Sequence, residues 1–249
     1  MLTKTCPVSG KQFEVTDSDL DFYHRMGVPV PDMCPEERQR ERFCFRNERT
    51  LFKRKCDGTE KSIVSCFPAD AKFPVYDVEY WWGDDWSGLD YGRDFDFSRP
   101  FFEQFIDLYN TVPVVSRYAL FTENSPYVNA VANIKNSYLC HNSDYLEDCY
   151  YVTNGTEMKD CVDCYIGIRM ELCYECVDCD RCYGLNYSDQ CLSCSDSYFL
   201  QDCRRCKNCI GCCNLVDKEF YIWNQKVTPE EFAQAKEKLK DQNFLSSVR

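Results

Sequence analysis

The sequence predicts a mainly β protein whose C-terminal part is a short-coiled β-solenoid. The main observation is cysteine spacing: of the fifteen cysteines from Cys140 onward, all but Cys213 stand at multiples of three residues from one another. An amphipathic helix would need apolar residues at alternating steps of three and four. A strict period of three is instead typical of a solenoid, in which equivalent side chains stack in successive coils.

A six-residue repeat supports the same architecture. Divided into sixes from Ser125, the chain carries a small or apolar residue first, often Cys, and Cys or an aliphatic residue fourth. The sixth position is often Asn or Asp, which suit corners because they tolerate left-handed backbone. Cysteine is small and commonly buried. We therefore expect hexapeptide or 12-residue-type repeats around an inward cysteine ladder, and a coil of twelve, eighteen or a larger multiple of six residues fits the pattern.

Aromatic residues recur at the second and third positions of these blocks, as at Tyr138, Tyr150 and Phe199. They predict aromatic ladders on the outside of the solenoid. Two interpretations stay open, namely packing against the N-terminal part of the chain and a binding face for another molecule.

The N-terminal part contains three short segments, beginning at Cys6, Cys34 and Cys56, that resemble the knuckles of a zinc ribbon. A structural zinc site needs four ligands, usually from two CxxC pairs, and each of these segments keeps a single cysteine. Zinc is the candidate cofactor. The candidate metal ligands are Cys6, Cys34, Glu37, Cys56 and Asp77.

Nearly the whole chain resembles a family of bacterial zinc-ribbon proteins with cysteine-rich C-terminal repeats. The stretches that carry the resemblance are CPVSGKQF at 6–13, VPVPDMCPEERQRERFCFRNERTLFKRKCD at 28–57, YGRDFDFSRPFFEQF at 91–105, the repeats EDCYYV, KDCVDC, ELCYEC and DSYFLQDCRRCKNC, and DKEFYIWNQKVTPEEF at 217–232. The resemblance implies zinc bound by cysteines at positions 6, 9, 34, 37, 56, 59, 77 and 80. This chain departs from that pattern at Ser9, Glu37, Thr59, Asp77 and Tyr80. The resemblance to this family does not point to any particular activity.

These features together predict a short-coiled β-solenoid with an N-terminal degenerate zinc-ribbon-like domain and a C-terminal capping helix. The predicted regions are residues 1–82 (zinc-ribbon-like domain), 83–116 (aromatic and acidic linker with one helix), 117–226 (cysteine-lattice solenoid) and 227–249 (C-terminal helix and tail). The linker helix begins near Pro100, and the last helix begins at Thr228 and runs to about Lys240. For the linker aspartates, a carboxylate site and the capping of turns stay open as alternatives.

Composition and charge narrow the choice of partner. A net charge of −12 argues against nucleic-acid binding over the whole surface, but a local basic segment remains a candidate. Its candidate nucleic-acid contacts are Arg38, Arg42, Arg46, Arg49, Lys53 and Arg54. The sequence has no run of 18 apolar residues, so no membrane span is expected. The N-terminus has no apolar signal core, so we expect a cytoplasmic protein.

The cysteines admit three interpretations: a buried structural ladder, ligands for thiophilic metals or iron–sulfur clusters, and disulfides. We favour the ladder, because a metal cluster needs ligands that converge on one point. The resulting function is a non-enzymatic binding or scaffold protein that engages a protein or a nucleic acid. The alternatives are a thiophilic metal-binding protein for storage or sensing, and a hexapeptide-type acyltransferase whose candidate base is His141. No common catalytic motif is present.

Overall fold

The fold was analysed in a computed structural model that describes residues 1–44 and 47–239. The chain divides into two compact units, Met1–Asn47 and Glu48–Arg249. Each unit is described by itself.

The first unit is a hairpin followed by two helices. Its elements are β1 (Leu2–Thr5), β2 (Gln12–Val15), α1 (Asp17–Met26) and α2 (Pro35–Phe43). The two strands pair antiparallel, and Gly10, with φ of 70°, lies in the turn between them. Thr16 forms a capping box with Asp19 at the start of α1, and Gly27 ends the helix in the left-handed conformation.

The second unit opens with another hairpin and a segment rich in aromatic residues. Its first elements are β3 (Phe52–Lys55), β4 (Ser62–Ser65), β5 (Val75–Tyr76), α3 (Val78–Trp81), a 3-10 turn (Gly88–Tyr91), α4 (Phe101–Tyr109) and β6 (Val114–Val115). Strands β5 and β6 pair in parallel, and the Trp81 indole donates to the Pro113 carbonyl at 3.2 Å. The Ser65 hydroxyl of β4 donates to the Ser116 carbonyl at 3.1 Å, so the chain returns to the second hairpin after α4, directly before the solenoid begins.

The remainder is a β-solenoid of about nine turns followed by a short helix. Its strands are β7 (Ala119–Glu123), β8 (Asn129–Lys135), β9 (His141–Glu147), β10 (Thr153–Lys159), β11 (Tyr165–Ile168), β12 (Tyr174–Asp180), β13 (Tyr183–Asp189), β14 (Ser195–Tyr198), β15 (Lys207–Ile210), β16 (Glu219–Ile222) and β17 (Gln225–Lys226), and the helix is α5 (Pro229–Lys238). Strands β7 to β16 pair in parallel in chain order, and β17 returns antiparallel along β16.

Each coil contains twelve residues. Gly155 pairs with Gly167, and Gly167 pairs in turn with Cys179. The solenoid prediction is confirmed, and the coil has the shortest of the lengths that the sequence allowed.

The coil has a corner at every third residue rather than at every sixth. From Asn124 to Trp223 almost every third residue lies in the left-handed region, with φ near 50–60°, and from Ser125 to Cys212 the residue that follows each corner is buried. The corner residues include many Asn and Asp, which adopt this conformation most easily after glycine. Four inward side chains per coil therefore fill a narrow square interior.

Cysteine and serine share the inward positions for a physical reason. The Cys149 thiol donates to the Glu147 carbonyl at 3.3 Å and contacts the Met158 carbonyl at 3.6 Å. The Ser137 hydroxyl donates in the same way to the Lys135 carbonyl at 2.8 Å. Each corner turns carbonyl oxygens toward the interior, and a small side chain with one donor hydrogen supplies them with a second hydrogen bond.

The inward side chains also compensate for one another in size. Where Met158 and Met170 point inward, Gly155 and Gly167 occupy the preceding inward positions. A Cβ atom on Gly167 would lie 2.3 Å from the Met170 sulfur. The next coil instead has four cysteines, Cys173, Cys176, Cys179 and Cys182, which are all buried.

Helix α5 lies against β15 and β16, where Phe232 is buried beside Phe220 with ring centroids 5.9 Å apart. Thr228 begins the helix with a capping box to Glu231. The predicted helix start is confirmed. The helix ends at Lys238, and the predicted end at Lys240 lies outside the described residues.

Candidate functional sites

The first unit brings together part of the predicted zinc site. The Ser9 hydroxyl lies 3.6 Å from the Cys34 thiol and also hydrogen-bonds to Cys6. Burial opposes ionisation of the Cys6 thiol, but hydrogen bonds from the Ser9 hydroxyl and from nearby backbone amides outweigh it and lower the pKa of Cys6 to about 6. Glu37 instead pairs with Arg40 at 2.7 Å.

The second unit repeats this geometry around a single thiol. Cys56 is fully buried, and its sulfur accepts a hydrogen bond from the Asp77 amide at 3.2 Å. Burial raises the pKa of Cys56, but the nearby Thr59 side chain and the amides of Gly58, Thr59 and Asp77 give a net lowering. The Tyr80 ring packs so closely that a Cβ atom on Gly58 would lie 2.4 Å from it.

These residues do not fit a four-ligand zinc site. Within residues 1–44 and 47–239, no group of three or more His, Cys, Asp or Glu side chains could hold a metal ion. Cys6 and Cys34 belong to one compact unit, and Cys56 and Asp77 belong to the other. Asp77 meets Cys56 through its backbone amide. The donors around each thiol are hydroxyls and amides, which hydrogen-bond to a thiolate rather than ligate zinc beside it.

The basic residues of the first unit differ in exposure. Arg38 donates to the Tyr23 hydroxyl at 3.2 Å and is half-buried, whereas Arg42 is exposed. Arg46 lies outside the described residues.

In the second unit, Arg49 and Lys53 are exposed, and the Lys53 ammonium lies 5.9 Å from the centre of the Tyr127 ring. Arg54 is buried, and its guanidinium donates to the Asp57 carboxylate and to the Pro68 carbonyl, both at 2.7 Å. Arg54 therefore holds the second hairpin together, and we leave it out of any nucleic-acid surface.

His141 lies on the outside of the solenoid wall, but residues 48–49 cover it. It is 6% exposed, and it hydrogen-bonds to the backbone of Glu48. Burial, followed by the charge of Arg49, lowers its pKa. The Nδ1 atom is buried without a hydrogen-bond partner. An acyl acceptor would have no direct access to this ring.

The interior thiols belong to one buried cluster. The Cys176 thiol contacts the Tyr174 and Leu185 carbonyls at 3.4 and 3.2 Å, and the neighbouring thiols of Cys164, Cys173 and Cys179 together with burial raise its pKa. Burial likewise raises the pKa of Cys140 to about 12. These two thiols therefore keep their protons at neutral pH. No disulfide joins any cysteines in the part of the chain that the structure describes.

Among the linker aspartates, Asp96 caps a turn through its side chain. The Asp96 carboxylate accepts from the Ser98 amide at 2.8 Å and from its hydroxyl at 2.6 Å, and these bonds lower its pKa. Trp86 donates to the Trp81 carbonyl at 2.8 Å. This geometry is that of local turn capping.

Helix α4 carries a surface that the sequence analysis did not identify. None of its residues is buried, although most are apolar. Phe97 is 93% exposed and Phe102 is 72% exposed. The exposed apolar residues of this surface, here called the aromatic surface, are Phe97, which precedes the helix, and Phe101, Phe102, Phe105, Ile106 and Tyr109 of α4. The signal available in the sequence was a helix with apolar residues on more than one face.

The outer wall of the solenoid carries the expected aromatic ladders in two sets. In the first set, the Tyr138 ring contacts those of Tyr127 and Tyr151 edge to face, with centroids 5.6 and 5.9 Å apart. The second set is Tyr174, Tyr187 and Phe199, and the last two rings stack in parallel at 4.8 Å.

No protein-family model matches this sequence, and no curated protein matches it significantly. Among the described helices, none combines the length and apolar character needed to cross a bilayer.

Proposed function

We propose that this protein is a non-enzymatic binding protein, a scaffold that presents the aromatic surface of α4 to a protein partner. The observation that supports this most directly is the exposure of nearly every apolar side chain on that helix. Contiguous exposed apolar surface on a folded protein commonly marks an interaction site.

The energetics favour a partner that buries these rings. Burying a phenylalanine side chain stabilises a complex by about 1.5–3 kcal/mol before the costs of association. Phe101 and Phe105 stack with ring centroids 6.0 Å apart and nearly parallel planes. Stacked rings lose little side-chain freedom on binding, and such aromatic anchors dominate many protein interfaces.

The charges around the helix favour a protein over a nucleic acid. Arg99 is paired with Asp107 at 2.9 Å, and Glu103 lies in the first turn of α4. The surroundings therefore offer no excess of positive charge to phosphate groups.

The rest of the second unit supports a scaffold role. The parallel pairing of β5 with β6 and the hydrogen bond from Trp81 to Pro113 hold the aromatic segment to the start of the solenoid. The coils themselves are tied by continuous parallel ladders and thiol–carbonyl contacts. A rigid support lowers the conformational entropy lost on binding.

Site-specific photo-crosslinking tests the proposal. A photoreactive phenylalanine analogue is placed at Phe102, and a matched control places it at Phe121, an exposed aromatic residue on the first coil. In cells that make the protein, we expect a discrete, protease-sensitive adduct at Phe102 that is absent at Phe121 and lost in the Phe101→Ser, Phe105→Ser variant.

Two outcomes would overturn the proposal. One is the absence of a discrete adduct at Phe102, and the other is an adduct that nucleases remove. The second outcome would favour a nucleic-acid partner, and the exposed Arg49 and Lys53 would then be the residues to substitute in a binding assay at low salt.

A further inference from the structure

An open groove of about 480 Å³ runs across the first coils of the solenoid, away from the aromatic surface in sequence. It is lined by a ladder of polar side chains and a ladder of rings with Ser137 between them. The polar ladder is Asn124, Asn136 and Asp148, and the ring ladder is Pro126, Tyr138 and Tyr150.

The polar ladder is pre-ordered by its own hydrogen bonds. The Asn124 amide donates to Asn136 at 3.1 Å, and Asn136 donates to Asp148 at 3.1 Å. An Asn side chain has two donor hydrogens and an acceptor oxygen with two lone pairs, and a carboxylate has further acceptor sites. The ladder therefore holds donors and acceptors in place, with bonding capacity left for a ligand.

The ring ladder is exposed but held by its neighbours. Tyr138 is 37% exposed and Tyr150 is 44% exposed, and their backbones pair across adjacent coils. Tyr138 is fixed by edge-to-face contacts with Tyr127 and Tyr151. Equivalent residues on adjacent coils are separated by the spacing of paired strands, about 4.8 Å.

The charge of the groove selects among polymeric ligands. Among the described residues that line it, Asp148 is the only charged one, and none is a lysine or an arginine. An anionic polymer would be repelled, whereas a neutral polymer rich in hydroxyls would find both ring faces and fixed hydrogen-bonding groups. One pyranose unit of an extended chain is close in length to the spacing of the coils.

We propose that this groove binds a neutral polysaccharide lying along the solenoid axis. The tyrosines stack against the apolar faces of its sugar rings, and the polar ladder hydrogen-bonds to its hydroxyls. This inference does not depend on the protein partner of α4, because the two surfaces share no residue.

Affinity electrophoresis of the full chain tests this proposal. Native gels contain hydroxyethyl cellulose, galactomannan or soluble starch as neutral probes and alginate as an anionic probe. We expect saturable retardation by at least one neutral polymer and none by alginate. No retardation by any of the three neutral polymers, or stronger retardation by alginate, would overturn the proposal.

Variants then locate the binding site. Tyr138→Ala with Tyr150→Ala should weaken retardation by roughly tenfold or more, since aromatic anchors carry much of the binding energy at such surfaces. Asn136→Ala should also weaken it. The matched control is Tyr145→Ala, which removes a tyrosine that is 57% exposed and does not line the groove. Unchanged binding by the double variant, or an equal loss in the control, would refute the assignment, and thermal unfolding checks that each variant is folded.

Discussion

Replacement of Gly167 by cysteine tests whether the four inward side chains of a coil are matched in size. A Cβ atom at Gly167 would lie 2.3 Å from the sulfur of Met170, and ordinary contact begins at 3.4 Å. The Met170 sulfur would have to move by about 1.1 Å, the difference between these distances, and the Met158 sulfur, at 3.1 Å, by a few tenths of an ångström. Gly167 does not have a positive φ, so the backbone tolerates a side chain and the cost arises from packing alone.

The magnitude follows from the size of this overlap. Overpacking a core costs about 1–3 kcal/mol, and we expect Gly167→Cys to fall in this range, with the flexibility of methionine favouring the lower half. Met170→Cys alone leaves a void and should cost about 1–3 kcal/mol. The double variant gives this coil four inward cysteines, as in the coil from Cys173 to Cys182. It should therefore recover much of the loss, with a favourable coupling of about 1–3 kcal/mol.

Urea unfolding in reducing buffer, followed by circular dichroism, measures the free energy of unfolding of the four proteins in this cycle. The reasoning is refuted if the two single losses simply add, within about 0.5 kcal/mol. It is also refuted if Gly167→Cys is as stable as the parent protein.

Three further predictions follow from the corners, the covered histidine and the incomplete metal site. Ile166 is a β-branched corner residue with φ of 57°, so Ile166→Asn should raise the free energy of unfolding by about 1 kcal/mol, whereas Ile168→Asn, at a residue of the same coil without a positive φ, should not. His141 has a lowered pKa in the folded protein, so unfolding takes up a proton: stability should fall as the pH drops below about 6.5, and His141→Gln should flatten that part of the pH profile of the unfolding midpoint. Because Ser9 lies beside Cys34, Ser9→Cys with Glu37→Cys should retain about one equivalent of zinc per chain, measured by elemental analysis against the parent protein; no gain in zinc would contradict this arrangement of the knuckles.

The solenoid was readable from the sequence because its inward positions recur at every third residue and many of them hold small side chains. Every third residue points into the square interior, where cysteine and serine donate to corner carbonyls, as Cys149 and Ser137 do, and aliphatic residues and methionine hold other inward positions. The constraint repeats with each side of the coil, so it leaves a period in the sequence. The helix start at Thr228 was readable for a similar reason, since its capping box is local.

Other features were set by contacts between residues distant in the chain. A period of six allows coils of several lengths. The coil has twelve residues because residues twelve apart pair between adjacent strands, as Gly155 does with Gly167. The run of basic residues around Arg54 predicted a nucleic-acid-binding surface. The Arg54 side chain is instead buried, with its guanidinium hydrogen-bonded to Asp57 and Pro68.

The sequence by itself determined the repeat, its inward thiols and the turn chemistry, because each depends on residues within one side of a coil. Tertiary structure decided which surfaces stay open. An apolar pattern on α4 specifies a helix but not whether another element covers it. Likewise the Asn136 groove exists because residues twelve apart come to lie side by side, a proximity that depends on the length at which the coil closes.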